Sequence, residues 1–163
     1  NRKYTKEIYL EKIKKLKELI PDISITTDII VGFPTETDED FKATLDLVKE
    51  VGFEGAFTFI FSPREGTPAA RYEDDTSMEV KKARLQELND LINEGYLTGN
   101  KRFEGKTVKV LVDGKSIKDP NILTGYTEHN KVVNFPGTED LIGKIVNVKI
   151  EKAYTWHLRG IVE

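Results

Sequence analysis

The sequence predicts α/β followed by all-β: an incomplete parallel α/β piece over residues 1–100 and a small five-stranded OB-like β-barrel over residues 101–163. Three observations predict it. Helical and strand signals alternate through the first hundred residues. After "RFEGK" the hydrophobic period changes from 3.6 to two. The charge reverses at the same place: residues 1–100 carry 14 Lys+Arg against 20 Asp+Glu, a balance of −6, and residues 101–163 carry 11 against 8, a balance of +3. Such a reversal marks two modules with different partners.

Thr5 can cap a first helix running to Ile20, with Tyr9, Ile13, Leu16 and Ile20 on one apolar face and Pro21 ending it. "ISITTDIIVG" reads as a strand, and its Ile29-Ile30-Val31 run suggests burial on both faces. "FPTETDEDF" opens a second helix, where Thr37 and Asp40 have capping-box spacing and Asp38, Glu39 and Asp40 suit the positive end of the helix dipole. Phe41, Leu45 and Val48 line one face of that helix, and Gly52 stops it before the strand "GFEGAFTFIF". A barrel of this grammar typically needs about 250 residues, so the α/β part is a piece of a larger domain. Residues 77–99 are a long helix with Leu85, Leu88 and Ile92 on one side, Lys81, Lys82 and Glu94 elsewhere, and Gly99 as its stop. Five short strands follow: "TVKVLVDG", "ILTGYT", "KVVNF", "IVNVKIEKA" and "LRGIVE".

Composition removes several classes of function. No run approaches the roughly 18 apolar residues of a membrane span, and "NRKYTKEIYL" has no signal-peptide core. The chain starts without Met and enters a helix at once, as the interior of a longer protein would. It contains no cysteine, which excludes a disulfide framework, a thiol nucleophile and Cys-ligated zinc or iron–sulfur centres within these residues. That usage fits a cytoplasmic protein. His129 and His157 lack a carboxylate or serine at motif spacing and read as non-catalytic. No nucleotide-binding glycine motif is present.

Two strand ends carry the chemistry. Ligands of parallel α/β folds sit at the carboxyl ends of strands, where "GFPTET" (32–37) and "SPREGT" (62–67) both lie. Gly32 admits close approach to the backbone, and Arg64 can pair bidentately with a carboxylate or phosphate. The plainer reading is that Gly and Pro make turns and Arg64 is solvated. Arg2, just before the first helix, is a further anion-binding candidate. In the barrel, Lys101, Arg102, Lys106, Lys115, Lys118 and Lys131 are interspersed with Tyr126 and Phe135, as on a surface that tracks phosphates and stacks bases. The alternative places Phe135 in the core and the lysines on a soluble edge.

The runs "TTDIIVGFPTETDEDF", "FTFIFSPREGTPAA" and "LTGYTEHNKVVNFPG", in this order, closely resemble the C-terminal part of the MiaB-type radical-SAM methylthiotransferases. "NRKYT" resembles the tail of that family's M-N-R-[RK]-Y-T segment, and residues 101–163 resemble its TRAM domain, an OB-like barrel associated with RNA binding. The resemblance implies the end of a radical-SAM (β/α) half-barrel, with a long connecting helix, followed by TRAM. It implies an intact tRNA methylthiotransferase that uses S-adenosylmethionine (SAM) and two iron–sulfur clusters. It modifies isopentenyl-adenosine beside the anticodon in the cytoplasm. The cluster cysteines belong to missing N-terminal domains of the same polypeptide, so this chain is expected to be inactive alone, with no catalytic residue and no metal ligand. Superfamily likeness places Arg2, Asp28, Ile30, Gly32, Ser62 and Arg64 near SAM, with Arg2 a partner for its carboxylate. It assigns Lys101, Arg102, Lys106, Lys115, Lys118, Tyr126 and Lys131 to the tRNA anticodon stem-loop. The chain departs from its relatives at Glu128-His129, where they usually carry an arginine. Sister enzymes that modify threonylcarbamoyl-adenosine or a ribosomal-protein aspartate are the rivals. A free-standing, non-catalytic RNA-binding module is the rival of another class.

Overall fold

The computed structural model describes residues 3–163, which form two compact units divided between Gly95 and Tyr96. The first contains α1 (Lys6–Leu19), β1 (Thr27–Val31), α2 (Asp38–Val51), β2 (Ala56–Ile60), a 3-10 turn (Pro68–Arg71) and most of α3 (Met78–Lys101). Thr5 caps α1 and Ile20 closes it, but none of its side chains is fully buried. The capping box of α2 forms in both directions: the Thr37 hydroxyl accepts from the Asp40 N–H, and the Asp40 carboxylate accepts from the Thr37 N–H. Gly52 ends that helix in the left-handed region, at φ 66°.

β1 and β2 pair in parallel from Thr27–Ala56 to Val31–Ile60. The first strand is shorter than its β-prone run because the ladder begins at Thr27; just ahead of it the Glu54 N–H donates to the Ile25 carbonyl at 2.9 Å and the Thr27 N–H to the Gly55 carbonyl at 3.3 Å. One face of the pair bears Thr27, Ile29, Val31, Ala56, Thr58 and Ile60, and the Thr58 hydroxyl donates to Asn89 of α3 at 2.5 Å. Val31, Phe41, Leu45, Val48, Val51, Phe53, Leu88 and Ile92 make up the buried core of this unit. The other face is bare: Ile30 is 56%, Phe57 72% and Phe59 52% exposed. Burial on both faces, expected from the Ile29-Ile30-Val31 run, is therefore met on one side; the layer that would cover the other is not among these residues.

The second unit is a closed barrel in the order β3-β4-β5-β7-β6, built from β3 (Thr107–Lys115), β4 (Ile122–Thr127), β5 (Val132–Pro136), β6 (Ile145–Ala153) and β7 (Leu158–Val162). β6 pairs back with β3 to close it, and all neighbours are antiparallel except β5 and β7. Alternate residues point inward, giving a core of Val110, Val112, Leu123, Val133, Phe135, Val148, Ile150 and Leu158. Phe135 is core, as the plainer sequence reading had it. α3 runs past Gly99 to Lys101, because Asn100 is buried and its amide donates to the carbonyls of Tyr154 (2.8 Å) and Thr155 (3.1 Å). That tertiary anchor outweighs the roughly 1 kcal/mol cost of a helical glycine.

The strands also touch where a side chain would not fit. A Cβ on Gly125 would lie 2.4 Å from the Leu111 carbonyl oxygen, a backbone atom with no freedom to yield. Gly125→Ala is expected to lower stability by about 1–3 kcal/mol, read as a fall in the urea midpoint. A second expectation concerns His157, whose pKa is lowered first by burial and then by the positive charge of Lys118. The folded state then favours the neutral ring, and the unfolded chain binds more protons below its own value of about 6.5. Stability should therefore fall as pH drops from about 6.5 toward the lower folded value. Thermal melts across that interval should show the loss, and His157→Gln should flatten it.

Candidate functional site

The end of β1 is held by buried charge. Gly32 adopts φ +68°, and a Cβ there would lie 2.6 Å from Cγ of Lys81, whose alkyl stem occupies that space. The Gly32 N–H donates to Oε1 of Glu36 at 3.0 Å. The same oxygen accepts from Arg84 at 2.7 Å, while the other arm of that guanidinium reaches Asp38 at 2.7 Å. Burial works against the Arg84 charge, yet the hydrogen bonds to Asp38 and Glu36 prevail and raise its pKa. Lys81, buried in α3, pairs with Asp74 and thereby lowers the pKa of that carboxyl. Between these anchors, Phe33-Pro34-Thr35-Glu36 closes a turn through the Glu36 N–H and the Phe33 carbonyl, with Thr35 at φ 77°. A β-branched residue at positive φ is strained, and such strain persists only where its surroundings impose it.

The loop after β2 is tied to the first. The Phe61 N–H donates to the Val31 carbonyl at 2.8 Å, and the Phe33 ring meets Phe61 and Tyr72 edge-on at 5.0 and 6.0 Å. The Thr67 hydroxyl and N–H both donate to the Arg64 carbonyl, at 2.7 and 3.2 Å, and Gly66 supplies φ +82°. The backbone of Arg64 is thus fixed while its side chain stands exposed. Asp28, Ile30, Phe59, Ser62, Arg64 and Thr67 line one open groove of about 670 Å³.

Four of the residues expected near SAM therefore share a groove: Asp28, Ile30, Ser62 and Arg64. Gly32 does not line it; it is buried, with its amide committed to Glu36 and its open side filled by Lys81. Arg2 lies outside the described residues. The groove offers a cation, a carboxylate, a hydroxyl and an apolar floor, a donor set that fits a nucleoside bearing an amino-acid tail. Among the described residues no group of His, Asp or Glu is arranged to hold a metal ion, and the chain has no cysteine. It holds no cysteine to ligate an iron–sulfur cluster.

In the barrel unit Lys101, Lys106 and Lys118 are exposed, and Tyr126 is partly so. Lys115 is ion-paired with Glu139. Arg102 places its guanidinium 4.7 Å from the centre of the Phe103 ring. Lys131, expected on the RNA face, is buried at 7% exposure, which removes it from any surface that tracks phosphates. His129 sits edge-on to Phe103 at 5.2 Å, a packing role.

Lys81 and Arg84 are what the sequence reading missed. Their signal lies in the helical period: Lys81, Arg84, Leu88 and Ile92 form one buried stripe of α3, with cations where apolar residues would continue it. The aromatic residues of the turn between β6 and β7 were also passed over.

Comparison with known proteins bears on both units. Residues 1–48 match the Radical SAM superfamily, and residues 101–162 match the TRAM domain. A tRNA-2-methylthio-N(6)-dimethylallyladenosine synthase of Oceanobacillus iheyensis is 57% identical over 99% of this chain and 31% of its own length. The proteins of the same name from Bacillus cereus and Bacillus subtilis are each 58% identical over 98% of this chain and 31% of their own lengths. The chain thus spans about a third of the relatives it matches. Among its described residues no helix is long and apolar enough to cross a membrane.

Arg84 and Glu36 are both largely buried, whereas the side chain of Asp38 is 91% exposed. Arg84→Ala is therefore expected to cost about 3–5 kcal/mol, by leaving Glu36 unpaired, and Asp38→Ala less than about 1 kcal/mol. Chemical denaturation of the two variants measures the contrast.

Proposed function

We infer that this chain, which belongs to the family of the tRNA-2-methylthio-N(6)-dimethylallyladenosine synthases, supplies one wall of a SAM pocket and the RNA grip of such an enzyme. The intact protein would be a cytoplasmic radical-SAM transferase that methylthiolates the isopentenylated adenosine beside the anticodon. The observation that carries this is 57–58% identity along nearly the whole chain, with the Radical SAM and TRAM matches in the family's order.

SAM and the two clusters, when bound in the whole enzyme, would supply the radical, sulfur and methyl chemistry. The residues present here bind and orient. Arg64 is suited to the carboxylate of the amino-acid tail, Asp28 and Ser62 to its ammonium or the ribose hydroxyls, and Ile30 with Phe59 to the flat face of adenine. Gly32 acts at one remove, as part of the anchored turn that sets the end of β1. Lys101, Lys106 and Lys118, with Tyr126, are the proposed RNA contacts; Lys115 would first have to leave Glu139. We take the domain boundary to lie between residues 100 and 101; the start of the TRAM match at 101 supports this, although the compact units divide a few residues earlier, between Gly95 and Tyr96.

Titration of this 163-residue chain with an anticodon stem-loop, at two salt concentrations, tests the reading. Saturable, salt-sensitive binding is expected. Lys106→Ala combined with Lys118→Ala should weaken it and reduce the salt slope by about 1 to 2, since each phosphate contact contributes about 0.7 to 0.9. No methylthiolation by this chain alone is expected under any condition. Tight binding of a ribosomal protein in place of the stem-loop would overturn the tRNA assignment.

A further inference from the structure

The turn between β6 and β7 gathers aromatic rings and unpaired cations on one surface. Its sequence, "KAYTWHLRG" (152–160), leaves Trp156, the chain's single tryptophan, 68% exposed. In the same turn the rings of Tyr154 and His157 lie parallel, 4.6 Å apart and 13° from coplanar. The turn is not loose: the Tyr154 N–H donates to the His157 carbonyl at 2.8 Å, and buried Asn100 binds the Tyr154 and Thr155 carbonyls. A rigid scaffold therefore presents a large apolar ring to solvent, which costs free energy unless something covers it.

The charges around it point to the chemistry of that cover. Lys152 stands 5.3 Å from the centre of the Tyr154 ring and faces Arg159 across the β6–β7 ladder. Two like charges in cross-strand register repel. Lys118 lies close enough to His157 for its charge to be felt there. Among the described residues, none of Lys118, Lys152 and Arg159 has an acidic partner within 4.0 Å, whereas Lys81, Arg84, Lys115 and Lys144 each have at least one. Cations without acidic partners around a turn that exposes an indole match a nucleotide, with a flat base to stack and anionic phosphates on either side.

We propose that the β6–β7 turn is a base-stacking site, in which Trp156 receives an unpaired base of an RNA loop while Lys118, Lys152 and Arg159 neutralise the adjoining phosphates. This rests on the RNA-binding reading above and adds to it a point of contact that reads single-stranded character. A fully paired stem keeps its bases stacked on one another and offers nothing to the indole. The site is accordingly selective for loops over duplex.

Because Trp156 is unique, its fluorescence reports the contact directly. The 163-residue chain is titrated with a stem-loop RNA carrying a seven-nucleotide loop, and with a duplex of the same stem. Indole quenching and the anisotropy of a labelled RNA are followed together. The loop RNA is expected to quench Trp156, and the duplex to leave it bright. Trp156→Ala should weaken loop binding about fivefold or more while leaving duplex binding unchanged, and Trp156→Phe should recover part of the loss. Circular dichroism confirms that the variants fold. RNA binding seen by anisotropy, with an unquenched indole and an unaffected Trp156→Ala, would overturn the stacking site and leave the RNA-binding reading intact. No RNA binding at all by the folded chain would overturn both. Quenching by a protein substrate in place of RNA would overturn the assignment of the partner.

Discussion

A guanidinium taken out of water must be matched by charge, and the α/β unit is organised around that requirement. Arg84 is held by Glu36 and Asp38, and Glu36 in turn holds the amide of Gly32. Helix α3, the turn after β1 and the first residues of α2 are thereby set in one arrangement. The strained φ of Thr35 persists inside it, and the aromatic contact of Phe33 with Phe61 carries the constraint across to the loop after β2. What faces the groove is placed by what lies behind it. The exposed Arg64, with its carbonyl clamped by Thr67, is the visible end of a chain of contacts that begins at a buried cation.

Much of this was legible in the sequence, and for physical reasons. The capping box at Thr37 and Asp40, the stop at Gly52 and the change of period after residue 106 are local signals, and local forces decide them. The parallel pairing of β1 and β2 followed from their alternation with helices. The misreadings have a common cause in tertiary context. Gly99 did not end its helix because Asn100 is anchored to a distant turn. Lys131 was assigned to an RNA-binding surface and Lys81 set apart from the apolar side of its helix, and both are buried. A cation's destination depends on its partners, which can lie far along the chain, as Glu36 does from Arg84, and no periodicity announces them.

The groove was legible in part for the same reason. Asp28 and Ile30, named by likeness to the superfamily, alternate onto the face that Phe57 and Phe59 share, as a strand's period of two requires. Gly32 stands outside the groove, and the sequence could not say so, because a glycine that admits a ligand and a glycine that admits a neighbouring side chain look alike in sequence. The stem of Lys81 makes the difference, and it comes from a helix some fifty residues away.

The barrel is closed by unequal seams. Its antiparallel neighbours pair along most of their lengths, whereas β5 meets β7 in parallel only through Val133 with Leu158 and Asn134 with Arg159. Parallel pairing is slightly weaker per residue, and a short ladder leaves more amides without a partner in the sheet. Hydrogen exchange should therefore find its earliest sub-global opening along β7. Amide protons of that strand would then decay ahead of those in β3 and β4, and the barrel would breathe by lifting one stave while the rest of the wall stays shut.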